Sequence, residues 1–304
     1  MAILNKTLII GHRGYIGSRL IQEIDASGID INWFRPGEKD IDFKDLPREY
    51  YSEYDNIILL AGHSSVKMSE SNLNSCFNNN VRNFIDLLEK LDNQKLIYAS
   101  SSSVYGSVGG KTVNEKYFGF EPYNQYDISK HVADLYAQKS DVEYYALRFG
   151  TVNGSSPFLR SDVMINAMVN STLTDGHIKL YIKDTMRPIL GINDLCGAVK
   201  TIVECDEDKR GLYNLASFNK TAEQIAYEVA NVMGVEVKEF EADPTQIKNT
   251  KNQTKAYNFS ISTLKFRQDF KFKFKDTVES LTRELKYNWD SMEKTDRSEA
   301  FHYE

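Results

Sequence analysis

Five short apolar runs alternate with amphipathic stretches over the first 150 residues: TLIIGH (7–12), INWFR (31–35), NIILLAG (56–62), KLIYAS (95–100) and EYYALRFG (143–150). Between them, 15–27, 77–91 and 124–140 have helical character. In the second of these, Phe77, Val81, Phe84, Leu87, Leu88 and Leu91 share one face. A strand that is apolar throughout must be covered on both sides, and strand–helix alternation supplies the covering helices. The pattern predicts an α/β fold built on a doubly wound parallel sheet.

The first apolar run leads directly into GHRGYIG, with Gly11, Gly14 and Gly17 at three-residue spacing ahead of a helix. In this context the triplet is the dinucleotide fingerprint of a Rossmann-like fold. Gly11 permits the tight turn, Gly14 lets backbone approach a pyrophosphate, and Gly17 lets the helix pack on the sheet. The second strand is expected to end at Arg35, 24 residues after Gly11, where an NAD-binding chain carries a carboxylate. With Arg13 inside the turn, two guanidiniums suit the 2′-phosphate of NADP(H). The alternative is NAD(H), with Glu38 or Asp40 reaching the ribose. Asp42 is a candidate for the adenine amino group.

After about residue 155 the texture changes. SDVMINAMVNSTL and NDLCGAVKTIVECDE read as helices and KLYI as a strand. TAEQIAYEVANVMG opens on a Thr221/Gln224 capping box, has Glu223 in its first turn, and stops at Gly234. FRQDFKFKFKD (266–276) alternates as a half-exposed strand or extended arm, and DTVESLTRELKYNW is a last amphipathic helix. The reading is a dinucleotide-binding domain over 1–155, to which some later segments return, and a smaller C-terminal substrate-binding lobe over 156–304, set on the carboxyl edge of the sheet.

A net charge of -6 without a basic block argues against nucleic acid as a partner. No apolar run approaches the ~20 residues of a membrane span, and the amino terminus enters a strand directly rather than a signal peptide. Cys76, Cys196 and Cys205 are odd in number and lack metal spacing, so free thiols in a cytoplasmic protein are expected. The histidines offer no metal-ligand spacing either. Met164 and Met168 fit a core stripe.

The chemistry lies in two segments, SSSS (Ser100 to Ser103) at the end of an apolar strand and YNQYDISK downstream. Tyr126 and Lys130 stand one helical turn apart, so the ammonium can lower the phenol pKa while a serine hydroxyl shares the proton. Beside a dinucleotide, this equipment moves a hydride to or from a carbonyl.

Together, GHRGYIG, LLAGHSSV, NNNV, YASSSSVYG, YNQYDISK, LRFGTVNG and MRPILGINDL resemble, in order and spacing over about 5–290, the extended short-chain dehydrogenase/reductases: the NAD-dependent epimerase/dehydratase group acting on nucleotide sugars. The resemblance makes Tyr126 the general acid/base, Lys130 its partner and Ser101, four residues before the tyrosine of VYG, the catalytic serine. It places Tyr15, Ile16, Phe43, Leu60, Ala61, Gly62 and Asn80 with the cofactor. Ser102, Ser103, Thr151, Asn153, Asn166 and Arg187 fall with the substrate, Arg187 on its pyrophosphate. Asp194 reads better as a helix cap than as a ligand. Ser102 and Ser103 stand where the dehydratases carry Asp-Glu, which argues against dehydration, since a neutral serine is a poor base. C3/C5 epimerases of the group use a cysteine where Ser103 stands and a histidine where Asp162 falls, which counts against that reaction too. The implied activity is hydride transfer at C4 of a nucleotide-diphosphate sugar by a 4-keto reductase or dehydrogenase. A 4-epimerase with tightly bound NAD is the alternative. A non-catalytic dinucleotide-binding regulator would need no Ser101, Tyr126 or Lys130. The group's habit also implies a homodimer through the 77–91 and 126–139 helices.

Overall fold

The computed structural model describes residues 6–31, 40–241 and 257–296. Its centre is a parallel sheet of six strands, β1 (Thr7–Ile10), β2 (Ser27–Ile29), β3 (Asn56–Leu59), β4 (Lys95–Ser101), β5 (Glu143–Phe149) and β6 (Gly211–Leu215), in the order β6-β5-β4-β3-β1-β2. Alternate side chains serve two cores. Ile9, Ile58 and Ile97 face one, and Leu8, Ile10, Ile57, Leu59, Leu96 and Tyr98 the other. This is the doubly wound, Rossmann-like arrangement. The chain runs from β1 outward to β2 and then back across to β3, so the order reverses between β1 and β3. Open α/β sheets bind ligands beyond the carboxyl ends of their strands at such a reversal.

Four helices position the site: α1 (Tyr15–Leu20), α2 (Asn83–Lys90), α3 (Gln125–Ala137) and α4 (Ile192–Val203). The helix expected over 77–91 is interrupted. Leu73–Phe77 is helical, Asn78–Arg82 forms a π turn, and α2 follows. Such turns concentrate at functional sites, and this one holds Asn80. At the head of α3, the Asn124 side chain accepts from Asp127 N–H and caps the helix.

The second strand differs from expectation. It is Ser27–Ile29, paired Leu8↔Ser27 through Ile10↔Ile29, and it begins four residues before INWFR, most of which lies outside the described residues. α1 ends at Leu20, so the chain regains the sheet early, and Gly28 then lies so close to His12 that a Cβ would meet its ring at 2.4 Å. The apolar character of INWFR misled the assignment. Residues 32–39, including Arg35, lie outside the described residues.

Two glycines are required by geometry. Gly11 has φ +94° and its missing Cβ would stand 2.7 Å from Ala61 N. A Cβ on Gly17 would fall 2.1 Å from Gly11 O and 2.7 Å from His12 Cα, all rigid backbone. Gly17→Ala therefore forces α1 off the sheet, and its urea midpoint should fall by the equivalent of at least ~1–3 kcal/mol of overpacking. An unchanged midpoint would mean that the turn relaxes freely.

The second half of the chain contributes β6 and α4 to the sheet layer, where Lys95 Nζ donates to the carbonyls of Ile202 (2.9 Å) and Cys205 (2.7 Å). Helices Met164–Asp175, Ala222–Met233 and Val278–Asn288 bury Ile165, Val169, Ile225, Val229, Leu281 and Leu285 against one another. A small sheet of Thr151–Asn153, Met186–Gly191 and Phe218–Thr221 carries Thr151 and Arg187. The alternation in 266–276 belongs to a short helix, Leu264–Asp269, and an extended arm without a strand partner among the described residues. Phe270, Phe272 and Phe274 pack on the fully buried Phe266 at 4.7, 5.4 and 6.2 Å between ring centres, and the lysines between them face outward.

Candidate active site

Beyond the carboxyl ends of β1, β3 and β4 lies a cavity of about 490 Å³. The glycine turn contributes Gly11, Gly14, Tyr15, Ile16 and Gly17, and the segment after β3 contributes Leu60, Ala61 and Gly62. Asp42 and Phe43 close one end; Thr151 and Arg187 lie on the lobe side. Ser101, Ser102, Ser103, Tyr126 and Lys130 complete the wall. Residues separated by more than 170 positions in sequence thus face one space.

Local structure positions the reactive groups. β4 ends at Ser101, whose hydroxyl accepts from Ser103 N–H (3.2 Å) and lies 2.7 Å from Ser103 Oγ. Tyr126, in the first turn of α3, lines the cavity together with Ser101, whose hydroxyl draws the phenol pKa down. Lys130 Nζ donates to the Ala99 carbonyl at 2.9 Å and sits 5.9 Å from the centre of the Tyr126 ring. Burial pushes the Lys130 ammonium down to about 8, with Asp134 opposing.

The expected lowering of the phenol pKa is not found. Burial pushes Tyr126 up to about 12; the Ser101 hydroxyl works against this and the charge of Asp127 adds to it. Lys130 is turned towards Ala99 and its own charge is disfavoured by burial, so it does not offset these effects. The resting tyrosine is a protonated acid.

Asn80 does not line the cavity but supports it from below. Its Oδ1 accepts from His63 N–H (2.8 Å), and its Nδ2 donates to the His63 carbonyl (3.1 Å) and to Ser129 Oγ (3.0 Å), locking the β3 loop to α3. Asn153 and Asn166, expected near substrate, are braces instead. Asn153 Oδ1 accepts from Ile165 N–H, and Asn166 joins Gly154 N–H, the Tyr15 hydroxyl and the Arg160 carbonyl. Both are fully buried. Asp194 does not cap its own helix. It accepts from the backbone of Lys275 and Asp276 and from Ser217, while Asp276 accepts from Asp194 N–H and so supplies the cap from another segment.

The cofactor end differs most from the sequence reading. The residue following β2 is Asp30, which lines the cavity and accepts from Arg13 N–H at 2.9 Å. Burial raises its pKa. The Arg13 guanidinium donates to the Asp30 carbonyl and is paired with Asp40, so it is already matched with an anion. Arg187 is the opposite case: its buried Nε has no hydrogen-bond partner, and its guanidinium stands over the Tyr257 ring, 5.9 Å from the ring centre. Asp30, Arg160 and Tyr257 line the cavity and were not singled out from sequence; His63, which directly follows the NIILLAG run, lines it too. For Asp30 the signal existed, a carboxylate 19 residues after Gly11, but it was hidden by misplacing the strand. Tyr257 has no local pattern to mark it. His63 is buried and pushed down to about 4 by burial and by Lys130, so it is neutral at ordinary pH.

The profile of the NAD dependent epimerase/dehydratase family matches residues 7–216, from β1 to just past β6. The chain belongs to this family. Among curated proteins, the chain is 25% identical over 261 residues to Protein CapI of Staphylococcus aureus, covering 75% of this chain and 78% of that one. Among solved structures it is similar to MoeE5 in complex with UDP-glucuronic acid and NAD, with TM-score 0.79, 18% identity, and 94% of this chain and 100% of that chain covered. The UDP-glucuronic acid 4-epimerase from Bacillus cereus, in complex with UDP-glucuronic acid and NAD, gives TM-score 0.78 at 18% identity, over 94% of this chain and 99% of that one. At such identity the structural likeness establishes the fold. The family's dinucleotide fits the residues present: a Cβ on Gly14 would meet only Gly11 O, at 3.4 Å, so the turn is open to a ligand, and the Asp30 carboxylate lines the same cavity beyond β2. Among the described residues no helix is long and apolar enough to cross a membrane, and no cluster of His, Cys, Asp or Glu is arranged to hold a metal.

Proposed function

We propose that the protein is a nucleotide-sugar 4-epimerase that uses NAD(H), removing and returning hydride at C4 of a nucleotide-diphosphate sugar. The observation that carries this reading is the convergence in one cavity of Ser101, Tyr126 and Lys130 with the glycine turn and with Arg187, a half-buried arginine whose Nε is buried without a partner. The bound dinucleotide would supply or accept the hydride. Tyr126 exchanges the proton on the C4 oxygen, Ser101 holds that oxygen and the phenol in line, and Lys130 fixes the base of the site through Ala99. Arg187 receives the diphosphate. Leu60, Ala61 and Gly62 flank the dinucleotide, with Asn80 holding their loop in place.

The sequence alone favoured NADP(H) and an exchanging reductase. The geometry of the described residues moves the reading towards NAD(H). Arg13 is paired with Asp40, and Asp30 offers a carboxylate where a 2′-phosphate would be repelled. An NAD-retaining 4-epimerase follows, and the UDP-sugar 4-epimerase named above is consistent with it. The test is to identify the nucleotide that co-purifies, then to incubate the protein with UDP-glucose and UDP-glucuronic acid and follow the C4 epimer by NMR. Epimer formed without added cofactor supports the reading; turnover only with added NADPH returns it to a 4-keto reductase.

Asp30→Asn should weaken NAD(H) by roughly one to two decades, since a hydrogen bond to a charged group is worth ~1.5–3 kcal/mol and ~1.4 kcal/mol is tenfold. NADP(H) binding should improve or hold. Equal weakening of both cofactors, in titrations at one ionic strength, would remove Asp30 from the ribose site.

A homodimer is part of the same proposal. Phe77, with Ile128, Leu135 and Tyr136 of α3, is an exposed apolar side chain in the segments that the family resemblance places in such a contact, and the exposed Leu73 adjoins them. Light scattering on the purified protein tests it.

A further inference from the structure

Tyr257 touches both the head of α3 and Arg187, yet hydride transfer at C4 gives it no task. Its hydroxyl is engaged twice: it accepts from the Asn124 side-chain amide (2.6 Å) and donates to Asp127 Oδ2 (2.6 Å). The same carboxylate oxygen accepts from that amide (3.1 Å) and from Tyr123 N–H (3.1 Å). Asn124 and Asp127 are buried, and Asn124 Oδ1 accepts from Asp127 N–H (3.0 Å) where it caps α3. Tyr126 lies between these two residues in the same turn. A phenol with its donor and its acceptor both engaged is held in one orientation, and its ring with it. The Tyr123 ring packs on it at 5.4 Å between centres. That fixed ring is what Arg187 meets, its guanidinium 5.9 Å from the ring centre. The neighbouring backbone repeats the connection. Met186 N–H donates to Asn258 Oδ1 (2.9 Å) and Phe259 N–H donates to the Met186 carbonyl (3.1 Å), which clasps the residues after Tyr257 to the one before Arg187.

We propose that Tyr257 is the positioning residue that holds Arg187 for the substrate's diphosphate, with Asn124 and Asp127 fixing its ring to the head of the helix that carries Tyr126. The proposal rests on the reading of Arg187 as the diphosphate ligand. A carboxylate partner would hold an arginine by taking up its N–H groups and cancelling its charge, as Asp40 does for Arg13. A ring face attracts the cation and leaves both charge and donors for an anion. The buried, unpartnered Nε of Arg187 is such a kept donor. Through Tyr257 the group that grips the diphosphate and the group that acts at C4 belong to one bonded unit, so the distance between them does not depend on how the lobe rests on the sheet.

UDP, dTDP and GDP carry the diphosphate without a sugar, so they probe this without turnover. Each is titrated calorimetrically into the full-length protein with NAD added, and the tightest binder is taken forward. Tyr257→Leu should weaken it about five- to thirtyfold, the range of a desolvated cation–π contact. Tyr257→Phe keeps the ring and frees it from Asn124 and Asp127, so it should weaken binding by less. NAD(H) affinity should be unchanged in both, which a general loss of folding would not allow. Arg187→Met should weaken the nucleotide at least as much as Tyr257→Leu, and adding Tyr257→Leu to it should cost less than about twofold more, because the effect of Tyr257 passes through the guanidinium. Unchanged nucleotide affinity in Tyr257→Leu overturns the proposal. So does a loss of equal size with and without Arg187, which would place Tyr257 directly on the ligand. If the leucine variant does not fold, Tyr257→Phe decides alone, and wild-type affinity in it overturns the proposal. A wild type that binds none of the three nucleotides, or an Arg187→Met protein that binds like wild type, overturns the diphosphate role of Arg187 and the proposal with it. The expected binding pattern in a protein inactive on every nucleotide sugar tested supports the proposal and overturns the C4 reading instead.

Discussion

Tyr126→Phe should cut turnover on the UDP-sugar by ~10²–10⁴-fold, the usual share of a general acid/base, while NAD(H) affinity stays within a few-fold of wild type. The substitution removes one oxygen from a ring that α3 and β4 hold in place. The C4 oxygen then loses the phenol proposed to exchange its proton, while Ser101 keeps its contacts to Ser103. Because burial holds the phenol near 12, the wild-type tyrosine is protonated across the ordinary pH range. Ketone reduction therefore has its acid ready, and alcohol oxidation must first place that proton elsewhere. Single-turnover reduction of a 4-keto sugar should accordingly vary little below pH 9, whereas oxidation should quicken as pH rises. The checks are stopped-flow absorbance at the reduced-nicotinamide band and a cofactor titration of both proteins. A Phe variant that keeps most of its turnover would remove Tyr126 from proton transfer. Ser101→Ala should cost less than Tyr126→Phe and more than Ser102→Ala, which tests the register of the serine run.

Arg148→Met should destabilise the fold by roughly 3–5 kcal/mol, the cost of leaving a buried charge without its partner. Arg148 Nε lies 2.8 Å from Asp134 Oδ2, with both side chains essentially sealed from water at 1% and 0% exposure. Arg148 also donates to the Tyr105 hydroxyl (2.9 Å), and Tyr98 donates to Asp134 Oδ1 (3.0 Å). The cluster pins β5 to α3 one helical turn beyond Lys130, so its loss is expected to loosen the catalytic helix too. Urea unfolding of Arg148→Met, compared with Arg148→Met/Asp134→Leu, separates the causes. The double variant should recover part of the loss because no uncompensated carboxylate remains. A single variant costing under ~1 kcal/mol would mean that water reaches Asp134.

Much of the site was readable because its parts are tied to local pattern. GHRGYIG must follow a buried strand and open a helix, and Tyr126 and Lys130 share a helix face whatever packs around them. The resemblance supplied Ser101 and Arg187, and the fold brings both to the same cavity. Other parts were not readable, for identifiable reasons. Where β2 ends depends on how soon α1 stops, and the apolar run INWFR gave no hint that Ser27–Ile29 would pair with β1. Asn153 and Asn166 look like ligand-binding amides in sequence, yet Asn153 is taken up by backbone partners and Asn166 by backbone and the Tyr15 hydroxyl. The pair Arg148–Asp134 spans two elements and leaves no spacing signature.

The sequence by itself determined the alternation of buried strands and amphipathic helices, the glycine turn at the first β–α junction, and the helical face shared by Tyr126 and Lys130. These follow from hydrophobic period, steric freedom and side-chain spacing, which act over a few residues. Only the tertiary structure decided that Asp30 follows the second strand, that Arg13 is matched by Asp40, that the Arg187 Nε is buried and unpartnered, and that Tyr126 stays protonated beside a half-relieved lysine. Those depend on desolvation and on charges brought together across the sheet, and burial and distance exist only once the chain has packed.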